Sequence, residues 1–336
     1  MPNIKKTLLI LLLQFFLATP LWADNAKKLQ VITSIYPLYD FAREVGGDKI
    51  SVSFLLPPGV EAHSFDPSPK DMINIYNSDM LIYNSDGMET WVKKIKKQLL
   101  GKNANKKTIV IRASKNVSFI EGEDDHHHGK HHDEHSDHDD HDNHDKHDNH
   151  DEHKDHADSF DPHIWLSLNN AQKMVKNIAN GLAKADRKNK KFYYAQAKKY
   201  NKKLKKLDKR YKKTIATCKN KTIIYGGHYA FSYLAKDYGL DYYAVGDFNN
   251  RAEPTAHDIK KIIDKVKTNR IKYIFHGTLQ SPKIAKTLAR ETSAKLLLLN
   301  SAHNITKNDI KNHLSYYTIM QQNLKSLSVG LSCRKF

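Results

Sequence analysis

Cysteine is scarce in this chain of 336 residues, which contains only Cys218 and Cys333. Neither has the closely spaced partner that a cysteine-based metal site needs, so neither is expected to bind a metal. In an oxidising compartment the two could form a disulfide that ties the C-terminus to the start of the second half of the chain. Two unpaired, buried thiols are the alternative.

Also missing is the His-Glu-x-x-His motif of zinc peptidases. Acidic residues are unevenly spread: the formal net charge is +18, but residues 121–158 hold 16 acids against three lysines, a net −13. The rest of the chain therefore carries +31. Its cations lie along predicted helix faces and are not clustered with aromatic side chains, so nucleic acid is not an expected partner.

One apolar run, at 8–17, follows Lys5 and Lys6 and precedes the segment Ala18-Thr-Pro-Leu-Trp-Ala23. This pattern predicts a secretory signal peptide over 1–23, cleaved after Ala23, and hence a periplasmic protein. The run is short for a membrane span, so the mature chain is expected to have none, although an uncleaved anchor remains the alternative. No cysteine near the cut offers a site for a lipid anchor.

Histidine is concentrated where apolar residues are absent. The segment 121–158 has no large apolar residue and holds 13 of the 20 histidines: His126, His127, His128, His131, His132, His135, His138, His141, His144, His147, His150, His153 and His156. Such a composition cannot form a core, so a disordered loop is predicted. Imidazoles interleaved with carboxylates suit zinc, which favours an accessory metal-binding loop over a plain polar linker.

Apolar strands alternate with amphipathic helices in both halves of the chain. Predicted strands are 29–34, 50–56, 80–83 and 108–112, then 221–225, 241–245, 271–275 and 295–299. This alternation predicts an α/β fold of two lobes, each a roughly four-stranded, mostly parallel sheet with helices on both faces. A final helix is predicted at 309–328.

A long helix is predicted at 188–216, because apolar residues recur there every three or four positions among lysines. The helix would join the two lobes, and a coiled-coil dimer is the alternative. The predicted division is an N-terminal lobe at 24–168, a helical linker at 169–216 and a C-terminal lobe at 217–336.

Four histidines outside the tract follow predicted strands or precede a helix: His63, His163, His228 and His276. Ligands of open α/β sheets bind at the carboxyl ends of strands. Three of these histidines, drawn from both halves, could therefore meet in a cleft. Taken singly, each is more often an ordinary core or capping residue than a ligand.

Several segments resemble motifs of the metal-specific solute-binding proteins of bacterial ABC importers, above all the zinc-uptake branch. PGVEAHSFDPSPKD is similar to the first-ligand loop, DPHIWLSL to the second motif and HYAFSYLAKDYGL to the third-ligand segment. AEPTAHDIKKIID and SPKIAKTLARETSAKLLLLN resemble later family segments. An acidic, histidine-rich loop before the second motif is typical of the zinc branch.

The resemblance implies the metal ligands His63, His163 and His228. A histidine at the third position, where manganese and iron members usually offer a carboxylate, favours zinc. Candidates for the fourth ligand are Glu61, His276 or water, and less strongly Asn300, which stands where the family often has Asp. His303 ranks below these.

The resemblance also implies a protein that is not an enzyme, is monomeric, and captures Zn²⁺ between its lobes for a membrane permease of an ABC importer. A manganese- or iron-type solute-binding protein and a periplasmic zinc buffer are the alternatives. A zinc hydrolase is a remote one, because Glu61 is the only evident general base.

Overall fold

The computed structural model describes residues 28–100, 108–120, 160–247, 254–279 and 282–334. The predicted signal peptide and the histidine tract at 121–158 lie outside these ranges, so the expectations about them stay predictions. Within the described ranges, no helix is both long and apolar enough to cross a membrane.

Four parallel strands form the first sheet, in the order β2-β1-β3-β4. They are β1 (Leu29–Thr33), β2 (Ile50–Phe54), β3 (Met80–Tyr83) and β4 (Ile109–Arg112). Helices α1 (Tyr36–Gly46), α2 (Pro69–Asn77) and α3 (Trp91–Leu100) lie between them in the chain. Strand β3 is buried along its whole length, as expected for an inner parallel strand covered on both faces.

Two helices follow the first sheet, α4 (Leu168–Ala185) and α5 (Lys190–Ala216). At 1.5 Å per residue, α5 is about 40 Å long. Its buried apolar side chains are those of the predicted stripe, Tyr193, Ala197, Tyr200, Leu204, Leu207, Tyr211 and Ile215. The stripe packs into a core shared by both lobes, so it is not available to a second helix in a coiled coil.

The second sheet repeats the first, with parallel strands in the order β6-β5-β7-β8. These are β5 (Thr222–Tyr225), β6 (Asp241–Ala244), β7 (Tyr273–His276) and β8 (Lys295–Leu298). Helices α6 (Ser232–Tyr238), α7 (Ala256–Thr268) and α8 (Lys283–Thr292) accompany them. The predicted fold class, two α/β lobes joined by one long helix, is confirmed.

The C-terminal segment is two helices, so the prediction of a single helix at 309–328 is wrong. Helix α9 (Lys307–Lys311) ends before α10 (Tyr316–Gly330) begins. His313 adopts a left-handed backbone conformation, φ 50°, and the Ser315 side chain caps α10 by accepting from the Thr318 N–H. Both features stop one helix and start another, because a left-handed residue cannot continue a right-handed helix.

The structure joins Cys218 to Cys333 in a disulfide across a separation of 115 residues. The same two segments are also paired through their backbones, since the Asn220 N–H donates to the Leu331 carbonyl at 3.1 Å. The disulfide thus fastens the C-terminal end of the chain to the start of the second lobe.

Candidate metal centre

Three histidines from three separate loops meet where the lobes face each other. His63 lies in the loop after β2, His163 follows the residues that flank the tract, and His228 lies in the loop after β5. The Nε2 atom of His163 is 3.1 Å from that of His63 and 3.1 Å from that of His228. Among the described residues, these three form a group whose ligand atoms all lie within 4.8 Å of one another.

This spacing fits a tetrahedral metal. Zinc–nitrogen bonds of about 2.0–2.1 Å place two ligand nitrogens about 3.3 Å apart. Zinc also binds imidazole nitrogens well, whereas magnesium, calcium and manganese favour oxygen ligands. The chemistry and the spacing of the three nitrogens therefore both suit Zn²⁺.

His163 is oriented by its neighbour Asp161. One carboxylate oxygen of Asp161, Oδ1, accepts from the His163 Nδ1–H at 2.7 Å and from its backbone N–H at 2.9 Å. The other oxygen accepts from the Ser232 hydroxyl of α6. Because Nδ1 carries the proton, the lone pair of His163 is on Nε2, the atom that faces the other two histidines.

Burial keeps the imidazoles of His163 and His228 neutral. It lowers the pKa of His163 well below the ordinary value, and nearby His303 lowers that pKa further. Burial likewise lowers the pKa of His228, with additional lowering from His163, His63 and His303. A neutral imidazole binds a metal without first losing a proton, so such a site is prepared for a cation. Burial also raises the pKa of Asp161 to about 7.

The loop that carries His228 needs glycine at Gly226. A Cβ at this position would come within 2.8 Å of the Ala285 Cα in α8. A larger residue would therefore displace either the helix or the start of the His228 loop.

The expected fourth ligands lie outside the group of three. Glu61 Oε1 accepts from the Ala62 N–H at 2.9 Å and from the His63 N–H at 3.5 Å. His276 is the last residue of β7, and its Nδ1–H donates to the Gly277 carbonyl at 2.9 Å. The Asn300 side-chain oxygen accepts from the Ala302 N–H at 2.8 Å. Each of the three is engaged with nearby backbone.

His303, which ranked low from the sequence, lies closer to the centre than expected. It is 3 % exposed, its ring is 5.9 Å from that of His228, and its Nδ1 pairs with the Ser301 hydroxyl at 2.6 Å. Its Nε2 is buried without a hydrogen-bond partner and lies 3.8 Å from Glu61 Oε1. The sequence already indicated this position for His303. It follows β8, and His276 ends β7, so both histidines lie at the carboxyl edge of the same sheet.

The described residues on either side of the histidine tract pair with each other beside this centre. The Asp161 N–H donates to the Ile120 carbonyl at 3.0 Å, and the Ile120 N–H donates to the Tyr233 hydroxyl of α6 at 3.0 Å. Asp161 is also the residue that holds His163. Ile120, which precedes the tract in the chain, is therefore in direct contact with the residue that orients a candidate ligand.

The family model described as "ZnuA: Zinc-uptake complex component A periplasmic" matches residues 31–330. The high-affinity zinc uptake system protein ZnuA of Bacillus subtilis (strain 168) is 37 % identical over 308 residues, 92 % of this chain and 89 % of that protein.

Two streptococcal proteins extend the comparison. The zinc-binding protein AdcA of Streptococcus pyogenes (serotype M18) is 36 % identical over 89 % of this chain, which spans only 55 % of AdcA. The crystal structure of the Zn(II)-bound ZnuA-like domain of Streptococcus pneumoniae AdcA has a TM-score of 0.71 and 30 % identity, covering 90 % of this chain and 99 % of that domain.

Proposed function

Because this chain belongs to the ZnuA family of zinc-uptake complex components, we propose that it captures Zn²⁺ in the cleft between its lobes and delivers it to an ABC importer. The observation that carries the proposal is the convergence of three imidazole Nε2 atoms. One similar protein is a zinc uptake protein and another was solved with Zn(II) bound, which agrees with this donor set.

The proposed ligands are His63, His163 and His228. His303 Nε2 completes the tetrahedron after a small movement of the lobes, and a water molecule is the alternative. What supports His303 over Glu61, His276 and Asn300 is that its buried Nε2 makes no hydrogen bond and lies 3.8 Å from Glu61 Oε1, whereas the other three side chains already bond to nearby backbone. Zinc binding would satisfy that nitrogen and remove the cost of burying it without a hydrogen bond.

The chain's own residues do three things for the metal. Asp161 fixes the tautomer and direction of His163, burial keeps the imidazoles of His163 and His228 neutral, and the two lobes exclude water. A dry site strengthens each bond to the cation, and the neutral rings give zinc an advantage over manganese. Manganese or iron as the natural cargo would appear in metal analysis of protein purified without added metal.

The proposal also covers export, oligomeric state, the partner protein and the histidine tract. The protein is exported through the signal peptide at 1–23, with cleavage after Ala23, and acts as a periplasmic monomer whose lobes are residues 24–168 and 217–336. Its partner is the membrane permease of the importer. The tract at 121–158 collects zinc at low affinity beside the cleft, which is consistent with the contact between Ile120 and Asp161.

Zinc titration by calorimetry tests the proposal. A variant lacking 121–158 is expected to keep one tight zinc site per chain, and the same variant with His228→Ala is expected to lose it. His257→Ala, which changes an exposed helix residue, is the matched control and should bind as the parent does. Loss of all tight binding on removing the tract would contradict the proposal and favour the zinc buffer. Metal-dependent hydrolysis of a model ester by the same variant would instead indicate an enzyme.

A further inference from the structure

The loop that carries His63 runs between β2 and α2 without regular secondary structure. Two of its backbone hydrogen bonds close local turns, from the Val60 N–H to the Pro57 carbonyl at 3.1 Å and from the Phe65 N–H to the Ala62 carbonyl at 3.4 Å. Such turns shape the loop but do not attach it to the rest of the molecule. The position of His63 therefore depends on contacts from outside the loop.

One such contact comes from the opposite lobe. Asn304, in the segment after β8, is fully buried. Its side-chain NH₂ donates to the Pro57 carbonyl at 2.7 Å and to the Val60 carbonyl at 2.7 Å. Its side-chain oxygen accepts from the Ile305 N–H at 2.7 Å, which fixes the orientation of the amide. One amide from the segment after β8 thus bridges two carbonyls of the ligand loop.

Asn304 is itself held firmly. The carbonyl of the preceding residue, His303, accepts from the Tyr36 N–H at 3.3 Å. Further back, the Asn300 N–H donates to the Asn323 side chain at 2.8 Å, and the Asn323 NH₂ donates back to the Asn300 carbonyl at 2.8 Å. The segment that presents Asn304 is therefore attached both to α10 and to the first lobe, so the amide approaches the loop from a supported position.

We propose that Asn304 is a positioning residue for zinc binding, an amide clamp from the second lobe that fixes the His63 loop and slows the release of the metal. The inference rests on the proposed function, because it takes His63 as a ligand. Zinc bound between the lobes can leave only when His63 separates from His163 and His228. Breaking the two Asn304 hydrogen bonds is part of that separation.

The chain offers a matched control in Asn177 of α4. Its side-chain NH₂ also bridges two loop carbonyls, those of Ala113 and Lys115, each at 2.8 Å. That loop follows β4 and carries none of the proposed ligands. Asn177→Ala therefore removes the same kind of bridge without touching a ligand loop, and separates a general loss of stability from an effect on the metal.

The test compares the parent, Asn304→Ala, Asn304→Ser and Asn177→Ala, all lacking 121–158 so that the tract does not bind the metal. Hydrogen exchange of the backbone amides at 60–65 is measured without zinc. Zinc dissociation is measured by transfer to an excess of a chromophoric chelator. Both Asn304 variants should exchange faster in this loop and release zinc about tenfold faster than the parent, since two hydrogen bonds are lost. Asn177→Ala should match the parent in both measurements.

The outcomes separate the two proposals. Failure of the parent itself to bind zinc tightly would overturn the proposed function, while loop exchange without zinc would still test the clamp. Unchanged loop exchange in both Asn304 variants would overturn the clamp. Faster exchange with unchanged zinc release would overturn its role in holding the metal, and so would equal acceleration of release by Asn177→Ala. Asn304→Ser keeps a polar side chain, so the comparison survives if Asn304→Ala does not fold.

Discussion

Replacing Asp161 tests how His163 is prepared for a metal. The carboxylate accepts two hydrogen bonds from His163 and one from Ser232. Asparagine at 161 can keep its oxygen towards His163 and donate its amide to the Ser232 oxygen, so Asp161→Asn removes mainly the negative charge. Alanine removes the acceptor as well. The two substitutions therefore separate the contribution of charge from that of orientation.

The magnitudes follow from the bonds that are lost. A hydrogen bond to a charged acceptor contributes about 1.5–3 kcal/mol, and a neutral one about 0.5–1.5 kcal/mol. Asp161→Asn should therefore weaken zinc binding about tenfold, and Asp161→Ala up to about 100-fold. The unfolding free energy of the zinc-free protein is expected to respond differently from the zinc affinity. Because burial raises the pKa of Asp161 to about 7, neutral Asn removes the cost of burying a charge and should not lower the unfolding free energy.

Chelator competition near neutral pH, in the variant lacking 121–158, measures the zinc affinity, and denaturant unfolding without zinc measures stability. Asp237→Asn is the matched control, since that carboxylate accepts from the Ser167 hydroxyl at 2.6 Å and burial also raises its pKa. Zinc affinity of Asp161→Asn equal to that of the parent would refute the reasoning. So would an affinity loss of the same size in Asp237→Asn.

Two further predictions concern stability. Burial raises the pKa of Glu89 from 4.5 to about 7, so the unfolded state loses its proton first as the pH rises. The unfolding free energy of the zinc-free protein should fall across that interval, and Glu89→Gln should reduce the slope of unfolding free energy against pH; an unchanged slope would contradict this. Cys333→Ser opens the disulfide to Cys218 and should lower the unfolding free energy by about 2–5 kcal/mol, while zinc affinity in the variant lacking 121–158 stays the same. Calorimetric melting and zinc titration check both parts, and an unchanged melting temperature would count against a stabilising disulfide.

Much of the fold follows from local patterns. The spacing of apolar residues from Tyr193 to Ile215 predicted a long helix with one buried stripe, and α5 buries those residues. Alternation of strands and helices predicted the two lobes. The break between α9 and α10 was missed, since it depends on the backbone conformation of His313, and nothing in the apolar spacing reveals that conformation.

The sequence by itself determined that histidines follow the strands of two parallel sheets and that His63, His163 and His228 match motifs of a zinc-uptake family. Only the tertiary structure decided which other side chains reach the centre. In the structure, His276 and Asn300 bond to nearby backbone, and His303 is buried with its Nε2 making no hydrogen bond. Asn304, which follows β8, contacts the His63 loop. The physical reason is that apolar periodicity records which face of an element is buried. The direction of a polar side chain in a loop depends on hydrogen-bond partners that are distant in the chain, as Asn304 and Pro57 are.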